Sequence, residues 1–193
     1  MTPPRIRRRH AADLDGCVAA LAEVHRVDRY PLNWPADPRR WLRQPRPADA
    51  WVAVDDTSIV GHVAVHRVVP ARAGTPPARP TAEVARLFVV PRARGSALGG
   101  ALLDRVRQWA SARRIDLSLE VTSDGAAAAA LYERTGWRYA GTSTAPWTAP
   151  DGSAVSLRHY VLSCDAVPAI TARRRASSAA ASRSSGGSST STS

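Results

Sequence analysis

The sequence predicts one α/β domain, a mixed β-sheet with helices on both faces, followed by a short tail. Three observations carry this reading. Segments that alternate apolar and polar residues take turns with segments of helical spacing along the first 164 residues. The chain has 193 residues, 44% of them hydrophobic, which is the length of one domain and enough apolar side chain for a core. One strand, residues 82–90, runs through a loop of small residues directly into a long amphipathic helix.

Each element has its own warrant. Residues 5–9 read as a short edge-like strand. Residues 12–25 carry Leu14, Cys17, Val18, Leu21 and Val24 at helical spacing; Ala12 or Asp13 opens the helix and acids fill its first turn. Residues 30–35 are a turn-rich loop, and 37–43 a short helix containing Trp41. Residues 51–54 and 59–66 read as a hairpin across an Asp-Asp-Thr-Ser turn. The proline-rich stretch 69–81 is a loop. A strand at 82–90 follows, then a helix at 98–113 with Leu102, Leu103, Val106 and Trp109 on one face. Residues 115–121 alternate Ile115, Leu117, Leu119 and Val121, a strand. The alanine-rich helix 126–135 is stopped by Gly136. Residues 137–144 and 155–162 form an antiparallel pair around Pro-Asp-Gly at 150–152. The order is β-α-α-β-β-β-α-β-α-β-β.

Composition excludes several classes. Two cysteines, Cys17 and Cys164, rule out a disulfide scaffold, and no CxxC pattern or paired His spacing supports a metal site. No apolar run is long enough to span a membrane, and the basic first ten residues lead into Asp13 and Asp15 rather than an apolar stretch, so a cytoplasmic protein is expected. All 27 basic residues are arginine, and the net charge is +11. Much of that excess sits at the ends: residues 10–164 hold 19 arginines and 15 acids. No stretch groups arginines with aromatics, which argues against nucleic acid as the main ligand. From 165 to 193 the chain turns to Ser, Ala, Thr, Gly and Arg, and is expected to be a disordered, solvated tail beyond a domain at 1–164.

The chemistry is concentrated at 87–103. Small residues after the strand let the backbone approach a ligand, and the first-turn N–H groups of the helix are unpaired at the positive end of its dipole. Such a turn suits a phosphate or diphosphate, and Arg94 can add a charged fork. The P-loop pattern is absent, since the chain has no lysine, and the turn lies too late in the chain for a first Rossmann βαβ unit. The stretch Arg94-Gly95-Ser96-Ala97-Leu98-Gly99 resembles the acyl-CoA loop of the GNAT superfamily of N-acetyltransferases, written Q/R-x-x-G-x-G/A. A second segment, Ala128 to Trp137, resembles that family's A-x-x-LYE-x-x-GF. The opening strand and Ala12-Asp13-Leu14-Asp15 resemble its first strand and helix, so the resemblance covers about residues 5–163.

The resemblance implies a mostly antiparallel mixed sheet of six to seven strands and acetyl-CoA as acetyl donor, with no metal. It places the pantetheine arm along Leu87, Phe88 and Val89, between that strand and 117–121, and the diphosphate in Arg94, Gly95, Ser96, Ala97, Leu98, Gly99 and Gly100. A backbone N–H near Phe88 or Val89 would polarise the thioester carbonyl. Two residues depart from the pattern. Alanine stands at 97 where the family usually has glycine, so an ordinary helical or turn conformation is expected there. Glycine stands at 125 where asparagine is common.

Direct attack by an amine in a ternary complex requires a base, since a lysine amine titrates at about 10.4 and an α-amine at about 8. Glu83 is the first candidate, four residues from Leu87 and on its face if the alternation holds; Glu120 or water is the alternative. Tyr132 matches the family's acid, a phenol able to protonate the departing thiolate. Tyr30 and Trp34 are expected to line the acceptor site, with Asp28 holding an ammonium group and Trp147 and the loop 69–81 closing the far side. His66 could line the same pocket, Cys17 is inert, and no Ser-His-Asp set has motif support. The acceptor is a small-molecule or peptide primary amine, and the protein a monomer or homodimer. The alternative is a non-catalytic acyl-CoA-binding regulator.

Overall fold

The structure, a computed structural model, describes residues 4–43, 47–56, 58–67 and 79–165. The strands are β1 (Arg5–Arg8), β2 (Pro47–Asp55), β3 (Ser58–Arg67), β4 (Thr81–Val89), β5 (Asp116–Thr122), β6 (Arg138–Thr148) and β7 (Ala154–Leu162). The helices are α1 (Leu14–Asp28), α2 (Pro38–Arg43), α3 (Leu98–Ser111) and α4 (Ala126–Arg134). One sheet takes the order β1-β2-β3-β4-β5-β7-β6. Every neighbouring pair is antiparallel except β4–β5. The mixed sheet and the element order agree with the sequence reading. Two 3-10 turns, 11–13 and 91–93, are additions, β2 begins at 47 rather than 51, and β6 runs on to 148. Most of the loop 69–81, and the tail beyond 165, lie outside the described residues.

Helix α1 is anchored at its start. The Asp13 carboxylate accepts the His10 backbone N–H at 2.6 Å and two N–H groups of the Arg7 guanidinium at 2.7 Å. A planar fork on a carboxylate fixes direction as well as distance, so β1 hands the chain to α1 at a set angle. Leu14, Cys17, Leu21 and Val24 then bury one stripe. On the other side of the sheet, α3 buries Leu102, Leu103, Val106 and Trp109, and the Trp109 ring meets Trp51 of β2 edge-on at 6.5 Å.

The centre of the sheet is irregular. Between the pairs Ala64↔Ala85 and His62↔Phe88, β4 has Arg86 and Leu87 where β3 has only Val63. This is a one-residue bulge, and Arg86 takes a left-handed φ of 58°. Beyond it the alternation is shifted, so Leu87 does not share the face of Glu83 as counting in twos predicts. Glu83 and Phe88 pair with His66 and His62, which share a face of β3.

The pairing of β4 with β5 also stops early. It runs from Thr81↔Asp116 to Val84↔Leu119, whereas β4 continues to Val89 and β5 to Thr122. The two parallel strands therefore part into a V.

Asp13 offers a test of the α1 anchor. Its carboxyl is held at about 2, chiefly by the hydrogen bonds from Arg7. A depressed acid stabilises the fold above its unfolded value of about 4, and that stabilisation is lost as pH falls through the folded value. Asp13→Asn is expected to lower stability by about 1–2 kcal/mol at neutral pH, with the gap to wild type closing as urea titrations move towards pH 2.

Candidate active site

The V between β4 and β5 organises the site. Val90 N–H bonds the Val60 carbonyl at 3.0 Å. Strand alternation then turns the peptide groups of Val89 away from β3 and towards the opening. Phe88 is placed differently: its ring is buried and stacks on His62 at 5.3 Å, on the β3 side. Of the three residues expected to hold an extended ligand, Val89 has its polar backbone turned into the gap.

The loop after β4 leads to the exposed stretch 94–97 and then α3. The first helical bond of α3 is Ala101 N–H to the Ala97 carbonyl, 3.0 Å. The amides of Leu98, Gly99 and Gly100 precede it and have no partner within the helix. Together with Gly95 (φ 78°) they suit an anionic group. Gly99 serves packing as well, since a Cβ there would lie 3.2 Å from Leu131 of α4. Ala97 corrects an expectation. It is the helix N-cap with φ 59° and ψ 13°, a left-handed conformation and not an ordinary turn or helical one. Its methyl group stands where glycine would relieve about 1 kcal/mol of steric cost. Gly125 has a local reason: a Cβ there would come within 2.8 Å of Val121 Cγ2 and 3.1 Å of the Thr122 carbonyl, so asparagine would not fit this turn.

Arg94 is already engaged. Its Nε donates to the Val89 carbonyl at 3.1 Å, and its two terminal nitrogens take both oxygens of Asp28, at the end of α1. Asp28 is therefore not a free seat for an acceptor ammonium, contrary to the sequence expectation. The pair ties α1 to the anion loop.

Tyr132 is buried on α4, edge-on to Trp137 at 6.0 Å and tilted against Tyr160 at 5.7 Å. Burial, reinforced by Tyr30 and Tyr160, pushes its phenol well above the ordinary range. Tyr30, on the α1–α2 loop, is likewise pushed up to about 12 by burial. The fold thus brings Tyr30 and Tyr132, predicted for different roles, into electrostatic reach of each other. Both hold their protons throughout the neutral range.

Glu83 is half-buried, cross-strand from His66 and in register with Ser118 of β5. Its carboxyl is raised, first by burial and then by the charge of Glu120, against a lowering influence from Arg86. Glu120 Oε1 lies 3.3 Å from His159 Nδ1, and His159 Nε2 lies 2.7 Å from Ser143 Oγ. This Ser143–His159–Glu120 chain crosses β6, β7 and β5 and was not visible in the sequence, because strand pairing alone brings those residues together. Cys17 is buried, and burial raises its thiol to about 12, in keeping with an inert core residue.

The α1–α2 loop meets the β6–β7 hairpin. Leu32 of the α1–α2 loop packs against Ala145, Val155 and Leu157 of the β6–β7 hairpin. Asn33 Nδ2 donates to the Thr148 carbonyl at 2.8 Å. Trp34 leans on His25 at 5.0 Å, and both Trp34 and Trp147 are partly exposed. Among the described residues no three or more His, Cys, Asp or Glu gather as metal ligands, and no helix is long and apolar enough to cross a membrane.

Comparison with known proteins agrees with this geometry. The profile of the acetyltransferase (GNAT) family matches residues 10–137. A comparison with curated protein sequences finds no match. Among solved structures, the ribosomal-protein-S18-alanine N-acetyltransferase of Escherichia coli superposes with a TM-score of 0.65 at 19% identity, covering 86% of this chain and 97% of that one. Arabidopsis thaliana NAA60 in complex with acetyl-CoA gives 0.66 at 18% identity, covering 84% and 99%. The ribosomal-protein-alanine N-acetyltransferase of Brucella melitensis gives 0.64 at 21%, covering 82% and 99%. At these identities the likeness is one of fold.

The strain at Ala97 can be measured. Ala97→Gly is expected to stabilise the protein by about 1 kcal/mol, which calorimetry would read as a rise in Tm of about 2–4 °C for a chain of this size.

Proposed function

From the premise that the chain belongs to the acetyltransferase (GNAT) family, an acyltransferase family whose acetyl donor is acetyl-CoA, we propose that it transfers an acetyl group to a primary amine by direct attack in a ternary complex. The observation that carries the reading is the V itself. The Val89 N–H faces the gap, exposed loop residues follow the end of β4, and the raised carboxyl of Glu83 sits one residue before the last β4–β5 pair, with the buried Tyr132 phenol on α4. These residues fit the cosubstrate: the Val89 N–H can donate to an extended amide chain, its carbonyl being already bonded by Arg94 Nε, and amides ahead of a helix take a diphosphate.

Acetyl-CoA, when bound, supplies an activated acetyl group and a thiolate leaving group. The chain's own residues do the rest. The Val89 N–H offers a fixed donor inside the gap, where a preorganised dipole acts without reorganising. Tyr132 holds a proton at Oη that its buried setting keeps in place until negative charge develops nearby. Glu83 accepts a proton from the incoming ammonium, directly or through water, since a carboxyl raised by burial is a stronger base than an exposed one. Glu120, in contact with His159, is the other acceptor on this face. Tyr30 and Trp34 offer flat apolar surface to the acceptor beside the β6–β7 hairpin. The acceptor is a small-molecule or peptide amine.

A thiol-release assay with acetyl-CoA over a panel of amines tests the reading. No turnover with any amine, together with no heat of CoA binding in calorimetry, would overturn it. Tyr132→Phe is expected to lower kcat by about 10²–10⁴-fold with CoA affinity nearly unchanged; equal losses in both would mean that the ring serves packing alone. The ionised form of Glu83 is the active one, so activity is present above its raised pKa and lost as pH falls through it. Glu83→Gln should remove that acid-side rise and lower kcat/KM about 100-fold; if Glu120→Gln does this instead, the base is Glu120.

A further inference from the structure

His62 is fully buried, uncharged in role and unused by the chemistry above, yet both of its ring nitrogens are committed. Arg9 Nη1 lies 2.9 Å from His62 Nε2 and also donates to the Leu42 carbonyl at 2.8 Å. A guanidinium can only donate, so Nε2 accepts and the ring proton sits on Nδ1. Nδ1–H therefore donates to the Arg86 carbonyl, 2.8 Å away. Burial, the dominant influence, lowers the ring to about 3, which keeps this neutral tautomer.

Arg86 is the left-handed residue of the β4 bulge. Its side chain is held too: the guanidinium carbon lies 3.9 Å from the centre of the Trp41 ring on α2. A left-handed non-glycine residue is sterically strained and persists only where its surroundings over-determine it. The ring stack of His62 on Phe88, two residues on, adds a second grip on the same strand segment. The bulge decides which way the following peptide groups turn, among them that of Val89, which faces the V.

We propose that His62 is a positioning residue of the active site: bonded to Arg9 on one side and to the Arg86 carbonyl on the other, it fixes the β4 bulge and so sets the strand register that aims the Val89 peptide into the opening. The inference rests on the acetyl-transfer reading for its effect on rate, but its structural half stands independently. The assignment comes from the two ring contacts.

Three full-length variants test it. His62→Asn puts an amide donor near the place of Nδ1, His62→Gln reaches the place of Nε2, and His62→Leu supplies neither. Hydrogen exchange by mass spectrometry over residues 84–90, without acetyl-CoA, reads the bulge directly. Steady-state kinetics with acetyl-CoA read its consequence. His62→Asn should keep exchange and kcat/KM within about 3-fold of wild type, while His62→Gln and His62→Leu speed exchange over 84–90 and lower kcat/KM for acetyl-CoA about 10- to 100-fold. The proposal is overturned if His62→Gln matches His62→Asn, if His62→Asn is as impaired as His62→Gln, or if faster exchange spreads evenly over β2, β3 and β4. The Asn and Gln variants decide the matter even if His62→Leu does not fold. A wild-type protein that neither binds nor turns over acetyl-CoA would sink the proposed function and leave the exchange comparison to judge the bulge.

Discussion

The site depends on a hydrogen-bond ladder that ends too soon. β4 and β5 pair for four residues and then separate, although both strands continue. Backbone groups left without partners in a buried place cost roughly 1–3 kcal/mol each, so a sheet does not open without a cause. Here the cause is on the other edge of β4. The extra residue at the bulge bends and twists the strand while it stays bonded to β3. The gap that results is flanked on one side by the β4 backbone, and the loop to α3 follows directly from the end of that strand.

The two faces of the sheet bring different chemistry to this gap. Tyr132 approaches with α4, in an aromatic setting beside Tyr160 and Trp137. Glu83 stands on the opposite face with His66 across from it and Glu120 one strand away. Burial makes the phenol harder to ionise, so it stays protonated, and makes the carboxyl more basic.

Much of this was legible in the residues. Hydrophobic period and turn chemistry located the four helices and seven strands of the described residues, and the small-residue loop reads as suited to an anion from its residues alone. What could not be read was whatever depends on pairing across the sheet. Nothing about Arg86 as a residue type signals a left-handed bulge; it emerges from counting β4 against β3. Alanine at 97 argued for ordinary geometry, yet the loop imposes a left-handed turn and α3 tolerates the cost. The contact of Arg94 with Asp28 spans 66 positions, and the Ser143–His159–Glu120 chain joins three strands. At Gly125, where asparagine is common in the resembled family, the turn leaves a Cβ so little room that Val121 and the Thr122 carbonyl would have to shift.

The Arg94–Asp28 pair has a consequence for encounter with an anion. A guanidinium whose fork already faces a carboxylate presents a nearly neutral doublet instead of a bare positive charge, and its far field decays steeply. Attraction at the mouth of the loop then falls mainly to short-range peptide dipoles. The chain's net charge of +11 still draws a polyanion from a distance and is screened by salt, but the pair removes the local share that a bare Arg94 would add at the loop itself.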